Sequence, residues 1–427
     1  MSFAVGVVVF VLGLLVSIVL HEIGHLLPAK RFKVRVSEFF AGFGPVIFAR
    51  RRGETTYGIK AIPLGGYVRM VGMFAPQRPG RPRGGDLVAE AREQSVAEIR
   101  PGEEHRAFYA LPVPKKLIIM LGGPVMNLLV AIVLITIVLT AFGVPSLTTT
   151  LGSVQPCLST ESQECAAGDS PSPAAQAGLQ VGDRIITWAG RPVERWQDVP
   201  AAIASHGTRA ATVEVERAGQ PVRLTVRPRL VERPVTRDGE VLTDAAGEVI
   251  TRPQPFVGIS PSAALQRQPL SAVPPVIGQA VGQTFDIVAT LPQRLAAIAQ
   301  AAFGDGEREQ GVVGIVGVGR FAGEIASLDA EAYGLRERTA DMLNLLASLN
   351  LALFVFNLIP LLPLDGGHIA GALWEGLRRA WARLRRRPEP GPVDVARALP
   401  LTYVVLLVMV GMSLLLAYAD LVTPVRL

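Results

Sequence analysis

Four long apolar blocks constrain this 427-residue chain more than any other feature. They run from Met1 to Leu20, Leu117 to Phe142, Met342 to Leu364 and Ala398 to Ala419, with no charged residue inside any of them. A hydrocarbon core takes about 20 apolar residues of helix to cross, so each block is long enough to span one. Only 18% of the chain is charged, against about 25% in a soluble protein, and 49% is hydrophobic. This excludes a soluble globular enzyme, a disordered protein and a secreted disulfide scaffold. The fold class is an α-helical polytopic membrane protein with four transmembrane helices. A fifth stretch, Val273 to Phe303, is interrupted by Asp286, Arg294 and several prolines, and reads as an amphipathic surface helix. Met1 to Leu20 lacks a basic n-region and an A-x-A site, so it reads as a retained first helix and not a signal peptide.

Loop charges orient the spans. Residues 28–112 hold 15 Lys plus Arg, and residues 366–399 hold 7 against 3 acids. Residues 143–340 carry 17 basic against 21 acidic residues. By the positive-inside rule the first two segments are cytoplasmic, which places both termini and the long segment outside. The net charge of +6 is therefore a record of topology, not of nucleic-acid binding. The resulting division is 1–27 first span, 28–112 cytoplasmic loop, 113–142 second span, 143–262 external domain, 263–341 amphipathic linker, 342–365 third span, 366–397 basic cytoplasmic loop and 398–420 fourth span. Both cysteines, Cys157 and Cys165, fall in the external segment. A local disulfide and two free thiols are both open readings for them.

The first block leads into His21-Glu22-Ile23-Gly24-His25, at the end of the first helix. On a helix, residues i and i+4 share a face, so both imidazoles can meet one ion with Glu22 beside it. Ionisable groups at membrane depth are costly, which favours a functional site over packed histidines. A catalytic zinc wants three protein ligands and an open position for water. His105 and His206 lie in soluble segments. Asp365 closes the third block, which runs in the same direction as the first and ends near the same leaflet; His368, three residues on, is the second candidate. The surroundings, Asn357-Leu-Ile-Pro360-Leu-Leu-Pro363-Leu-Asp365-Gly366-Gly367, point to broken helix. Such backbone is tolerated at membrane depth only beside protein or a water-filled cavity.

These residues resemble the site-2 proteases, zinc intramembrane metalloproteases, and in particular their PDZ-bearing bacterial branch, which cleaves anti-sigma factors. HEIGH and NLIPLLPLDGG carry the resemblance, with PLGGYVRM between them. Further matches are Gly42-Phe-Gly-Pro45, Gly122-Gly-Pro-Val-Met-Asn127 and Gly311-Val-Val-Gly-Ile315. The resemblance implies His21, His25 and Asp365 as ligands of a Zn2+ cofactor and Glu22 as acid–base. It assigns Asn357, and with it Pro360, to substrate handling. The implied partner is a single-pass membrane protein, an anti-sigma factor for this branch, reached through the bilayer of the inner or plasma membrane. The best-known relative has two tandem PDZ domains; here one copy is recognisable, interrupted by an insertion from Pro156 to Ser170.

Ser172 to Val193 reads as the PDZ core, Trp196 to Ser205 as its helix and Thr212 to Val226 as two strands. Such a domain binds extended peptides by strand addition; a steric filter guarding the membrane site is the equal alternative. Residues 54–70 read as two cytoplasmic-side strands, Glu54 to Ile62 and Tyr67 to Met70, around a turn at Pro63-Leu64-Gly65-Gly66. This β-hairpin resembles the family's membrane-entering loop. Its edge at Gly65, Gly66 and Tyr67 is a candidate for pairing with an unwound substrate backbone. Residues 76–107, rich in Pro, Gly and mixed charge, read as disordered. Arg383 to Arg387 reads as bordering an anionic leaflet. The rival to a protease is a non-proteolytic zinc-containing PDZ scaffold, against which an intact Glu22 argues. A metal transporter would need a ladder of intramembrane ligands.

Overall fold

A computed structural model of the chain describes residues 2–77, 86–158, 165, 169–237, 240–242, 248–304, 312–328 and 333–423. The chain forms two compact units, one from residues 1–142 and 269–427, the other from 143–268. Among the described residues four helices are long and apolar enough to cross a membrane: Phe3–Arg31, Val113–Phe142, Leu335–Phe356 and Val395–Val422.

The first unit opens with α1 (Phe3–Arg31). It runs four residues past the expected boundary at 27, to Arg31, where Leu26 and Ala29 are buried on the following strands. Two long strands come next, β1 (Val36–Arg52) and β2 (Thr55–Met70). Their register corrects the expected two-strand hairpin over 54–70. Phe39 pairs with Val68 on one side and with Tyr57 on the other, so the first half of β1 separates the two halves of β2. The second half of β1 closes the far side, with Arg50 opposite Tyr57. Gly42 and Gly44, at φ +89° and +81°, turn the chain between the two halves of β1. These glycines, Pro45 and the arginine run hide the alternation that would otherwise mark β1 as a strand. Val46, Ile47 and Phe48 are exposed.

Part of the stretch read as disordered is ordered. Residues 86–97 form α2 (Asp86–Ala97), and short turns follow at Glu104–Arg106 and Phe108–Ala110; residues 78–85 lie outside the described residues. The second span is α3 (Val113–Ile137), ending in a wider helical turn over Val138–Phe142.

The second unit carries β3 (Val144–Val154), α4 (Pro173–Ala177), β4 (Arg184–Trp188), β5 (Arg191–Pro192) and α5 (Asp198–His206). It continues with β6 (Ala211–Arg217), β7 (Gln220–Val226), β8 (Arg229–Pro234), β9 (Thr236–Arg237), β10 (Glu240–Val241), β11 (Thr251–Phe256) and β12 (Ile259–Gln266). Its main sheet has the order β12-β3-β4-β6-β7, with β5 on β4, and is antiparallel. β12 extends past the expected boundary at 262 because it pairs with β3 as far as Gln266 opposite Val144. Trp188, Ile185, Val199, Val213, Val215 and Val226 form the core. Cys157 and Cys165 are disulfide-bonded. A cavity of about 290 Å³ lies between α5 and the β11–β12 turn, lined by Val199, Ile203, Phe256, Val257 and Ile259, with Arg233 beside it.

Returning to the first unit, the expected linker is three helices: α6 (Val273–Ala289), α7 (Leu291–Phe303) and α8 (Ile315–Ser327). Pro292, at the start of α7, divides the stretch read as one surface helix. Gly311 of the GVVGI match lies outside the described residues. α9 (Leu335–Phe356) corrects the third span: it begins seven residues early, taking in charged residues, and ends before the prolines. α10 (Asp365–Leu384) occupies most of the expected basic loop, and α11 (Leu399–Val422) is the last span. Phe10 and Leu14 of α1 pack with Ala322 and Ile325 of α8 and Met342 and Leu346 of α9.

Candidate metal centre

Asp365 does not end the third span. It is the first residue of α10, where a carboxylate is favoured by the free N–H groups and the helix dipole. The chain from Asn357 to Leu364 is folded back tightly enough to require the two glycines after Asp365. A Cβ on Gly366 would stand 2.1 Å from the Ile359 carbonyl oxygen, and one on Gly367 2.6 Å from the Leu362 nitrogen. Gly366 N–H donates to the Asn357 carbonyl at 2.7 Å. Asn357 Nδ2 donates to the Leu353 carbonyl at 3.0 Å, so this residue closes α9 and anchors the return to Asp365. Pro360 lies exposed in that return.

The turn of α1 from His21 to His25 meets the start of α10. His21 Nε2 is 3.3 Å and His25 Nε2 3.2 Å from Asp365 Oδ2, and the two Nε2 atoms are 3.2 Å apart. Three ligands on a tetrahedral zinc with bonds of about 2.0–2.1 Å stand about 3.3 Å apart, so this near-equilateral triangle has the size of three corners of such a site. Two imidazole nitrogens and one carboxylate oxygen are also a donor set that zinc takes. His368 stands elsewhere, its ring edge-on to Phe108 at 6.5 Å.

Glu22 projects to the β-strand side. A Cβ on Gly66 would stand 3.0 Å from its Cγ. Gly65, at φ +128°, leaves room for the Phe43 ring. Tyr67 stacks on Phe40 and Phe43 and donates to Glu38 Oε2 at 2.8 Å.

Reading the residues by type missed what α3 contributes. Gly123 passes so close that a Cβ there would stand 2.2 Å from His25 Nε2 and 2.7 Å from His21 Nε2. His25 Nδ1–H donates to the Ile119 carbonyl at 2.7 Å, and fully buried Asn127 lies 3.0 Å from His21 Nδ1. The available signal was the run of small residues Gly122-Gly123 inside an apolar span, which marks close helix contact in membranes. At its other end α3 is tied to α10 by a buried ion pair, Lys116 Nζ to Glu375 Oε2 at 2.9 Å.

The sequence matches the profile of peptidase family M50 over residues 9–388. It is 34% identical to the zinc metalloprotease Rip1 of Mycobacterium tuberculosis, with each chain covered in full. It is 33% identical to Rip1 of Mycolicibacterium smegmatis, again over both full lengths. It is 30% identical to the metalloprotease MmpA of Caulobacter vibrioides over 87% of this chain and 86% of that one. A match over most of the chain, joined to membrane-length helices and a His-His-Asp triangle, leaves one assignment: the chain belongs to peptidase family M50 and is an integral-membrane zinc metalloprotease.

Proposed function

We propose that the chain is an intramembrane endopeptidase in which His21, His25 and Asp365 hold the zinc and Glu22 is the acid–base. The triangle of donor atoms 3.2–3.3 Å apart carries this reading. Bound zinc supplies a Lewis acid that lowers the pKa of water towards ~7 and polarises a carbonyl. Glu22, one residue from His21, takes the proton of the attacking water and delivers it to the leaving amide nitrogen. The backbone from Gly65 to Tyr67, beside Glu22, offers a strand edge to an unwound substrate, and Asn357 and Pro360 are the further candidates for substrate handling. The substrate is a single-pass membrane protein, an anti-sigma factor by likeness to the branch. The distribution of basic residues favours a site near the cytoplasmic leaflet, with the termini and the 143–268 unit outside.

The 143–268 unit is read as a single PDZ domain. The edge position of β12 and the apolar cavity beside α5 favour peptide binding over a steric filter. The test is cleavage of a single-pass substrate by the full chain in liposomes, with zinc content measured in parallel. Glu22→Gln keeps about one zinc per chain and cuts nothing; Asp365→Ala loses both. A Glu22→Gln enzyme that still cleaves removes Glu22 from the chemistry. A wild type that holds zinc and cleaves no membrane protein favours the scaffold.

A further inference from the structure

We infer that Asn127 is a positioning residue for the metal centre: its side-chain oxygen accepts the Nδ1 proton of His21 and so fixes the tautomer that presents Nε2 to the ion. The inference rests on His21, His25 and Asp365 being the ligands. An imidazole that gives Nε2 to a metal is neutral and carries its proton on Nδ1, so the group facing Nδ1 must be an acceptor. For His25 that acceptor is the Ile119 carbonyl, 2.7 Å away on α3. For His21 the facing group is the Asn127 amide, at 3.0 Å and eight residues further along the same helix.

The two ends of that amide are not equivalent in their surroundings. With Nδ2 towards His21, two hydrogen-bond roles fail together: Nδ1 is obliged to accept, which moves the proton to Nε2, and Asn127 Oδ1 is buried with no partner. Leaving a buried acceptor unsatisfied costs about 1–3 kcal/mol. After a half-turn of the amide Oδ1 accepts from Nδ1–H and Nε2 is a free lone pair, while Nδ2 takes the position that Oδ1 leaves. No other atom moves. Asn127 is fully buried. α3 thus holds the outer nitrogens of both histidines, and Gly123 between the two holding points lets the helix come close enough to do so. This role explains why an asparagine stands at 127. An apolar residue would pack in the span, but would leave His21 free to rotate or to protonate Nε2.

The test is zinc affinity of the full chain by chelator competition, on Asn127→Leu, Asn127→Ala and Asn127→Asp beside His21→Ala and Asp365→Ala. Loss of an outer partner weakens metal binding about 10–100-fold, which is the expectation for Asn127→Leu and Asn127→Ala. Asn127→Asp keeps an acceptor and binds zinc at least as tightly as wild type. The assignment is overturned if Asn127→Leu or Asn127→Ala binds zinc within about twofold of wild type, or if Asn127→Asp is as weak as they are. If His21→Ala itself retains full affinity, the ligand set is wrong, and that outcome is distinct from Asn127→Leu alone retaining it.

Discussion

Gly24 and Gly122 bring the backbones of α1 and α3 into direct contact. A Cβ on Gly24 would stand 2.2 Å from the Gly122 carbonyl oxygen, and one on Gly122 2.0 Å from that of Gly24. Neither neighbour is a flexible side chain, so alanine at either position must part the helices. Overpacking of this kind costs about 1–3 kcal/mol. Parting the helices also draws Ile119 and Asn127 away from the histidines. Gly24→Ala and Gly122→Ala are expected to lower both the melting temperature and the zinc content per chain. Gly411→Ala on α11, where a Cβ meets nothing within 4 Å, is expected to leave zinc content unchanged.

Gly123→Ala separates the site from the fold. The added methyl would lie 2.2 Å from His25 Nε2 and 2.7 Å from His21 Cε1, in the space where the two histidine Nε2 atoms converge. Zinc is expected to be lost although His21, His25 and Asp365 all remain. With the metal removed from both proteins by a chelator, the variant is expected to keep the helix content of wild type by circular dichroism. A variant holding one zinc per chain would show that the ion does not sit between these nitrogens.

Lys116 and Glu375 join α3 to α10, and α10 begins with Asp365. Both side chains are buried, and Glu375 also receives Arg379 at 2.8 Å and the Val393 N–H at 3.0 Å. Removing one member of a buried pair typically costs about 3–5 kcal/mol because the other charge is left uncompensated. Lys116→Met is expected towards the lower end, since Arg379 remains, with weaker zinc binding as α10 loosens. Lys116→Met/Glu375→Met is expected to recover most of the stability. Thermal unfolding and zinc affinity of the two variants in the same detergent make the comparison.

The three side chains that the structure brings together, His21, His25 and Asp365, are more legible in the sequence than the packing around them. His21 and His25 are readable because four residues make one helical turn, and Asp365 because an acid between prolines and glycines at membrane depth needs a reason. What could not be read is where helices continue through polar residues. Lys30 and Arg31 prolong α1 because the opposite face is buried, and Leu335 to Asp341 begin α9 despite their charges. The first half of β1 lies between two segments of β2 that are neighbours in sequence, a pairing that no local alternation can encode. Asn127 and Gly123 were visible only as part of a family match. Their roles are relations across helices, and spacing along one helix is silent about them.

The pH response of the 143–268 unit follows from Asp183. Its carboxylate is fully buried and takes Arg217 Nε at 2.7 Å, Arg217 Nη2 at 2.8 Å and the Gln180 N–H at 2.9 Å. Burial alone would raise its pKa, but the guanidinium and the amide outweigh burial and hold it below the ordinary carboxylate value. A carboxyl whose folded pKa is depressed adds stability that is complete above its unfolded value, about 3.9, and is lost as pH falls through the folded value. The unit is therefore expected to keep its protection at neutral pH and to lose it below about pH 4. Hydrogen exchange of residues 184–188 and 211–217 in the full chain reads this directly. Asp183→Asn is expected to exchange faster at neutral pH and to lose much of the acid dependence. Protection in wild type that is flat from pH 7 down to about 3 would mean that the Arg217 pair does not set the acid stability of this unit.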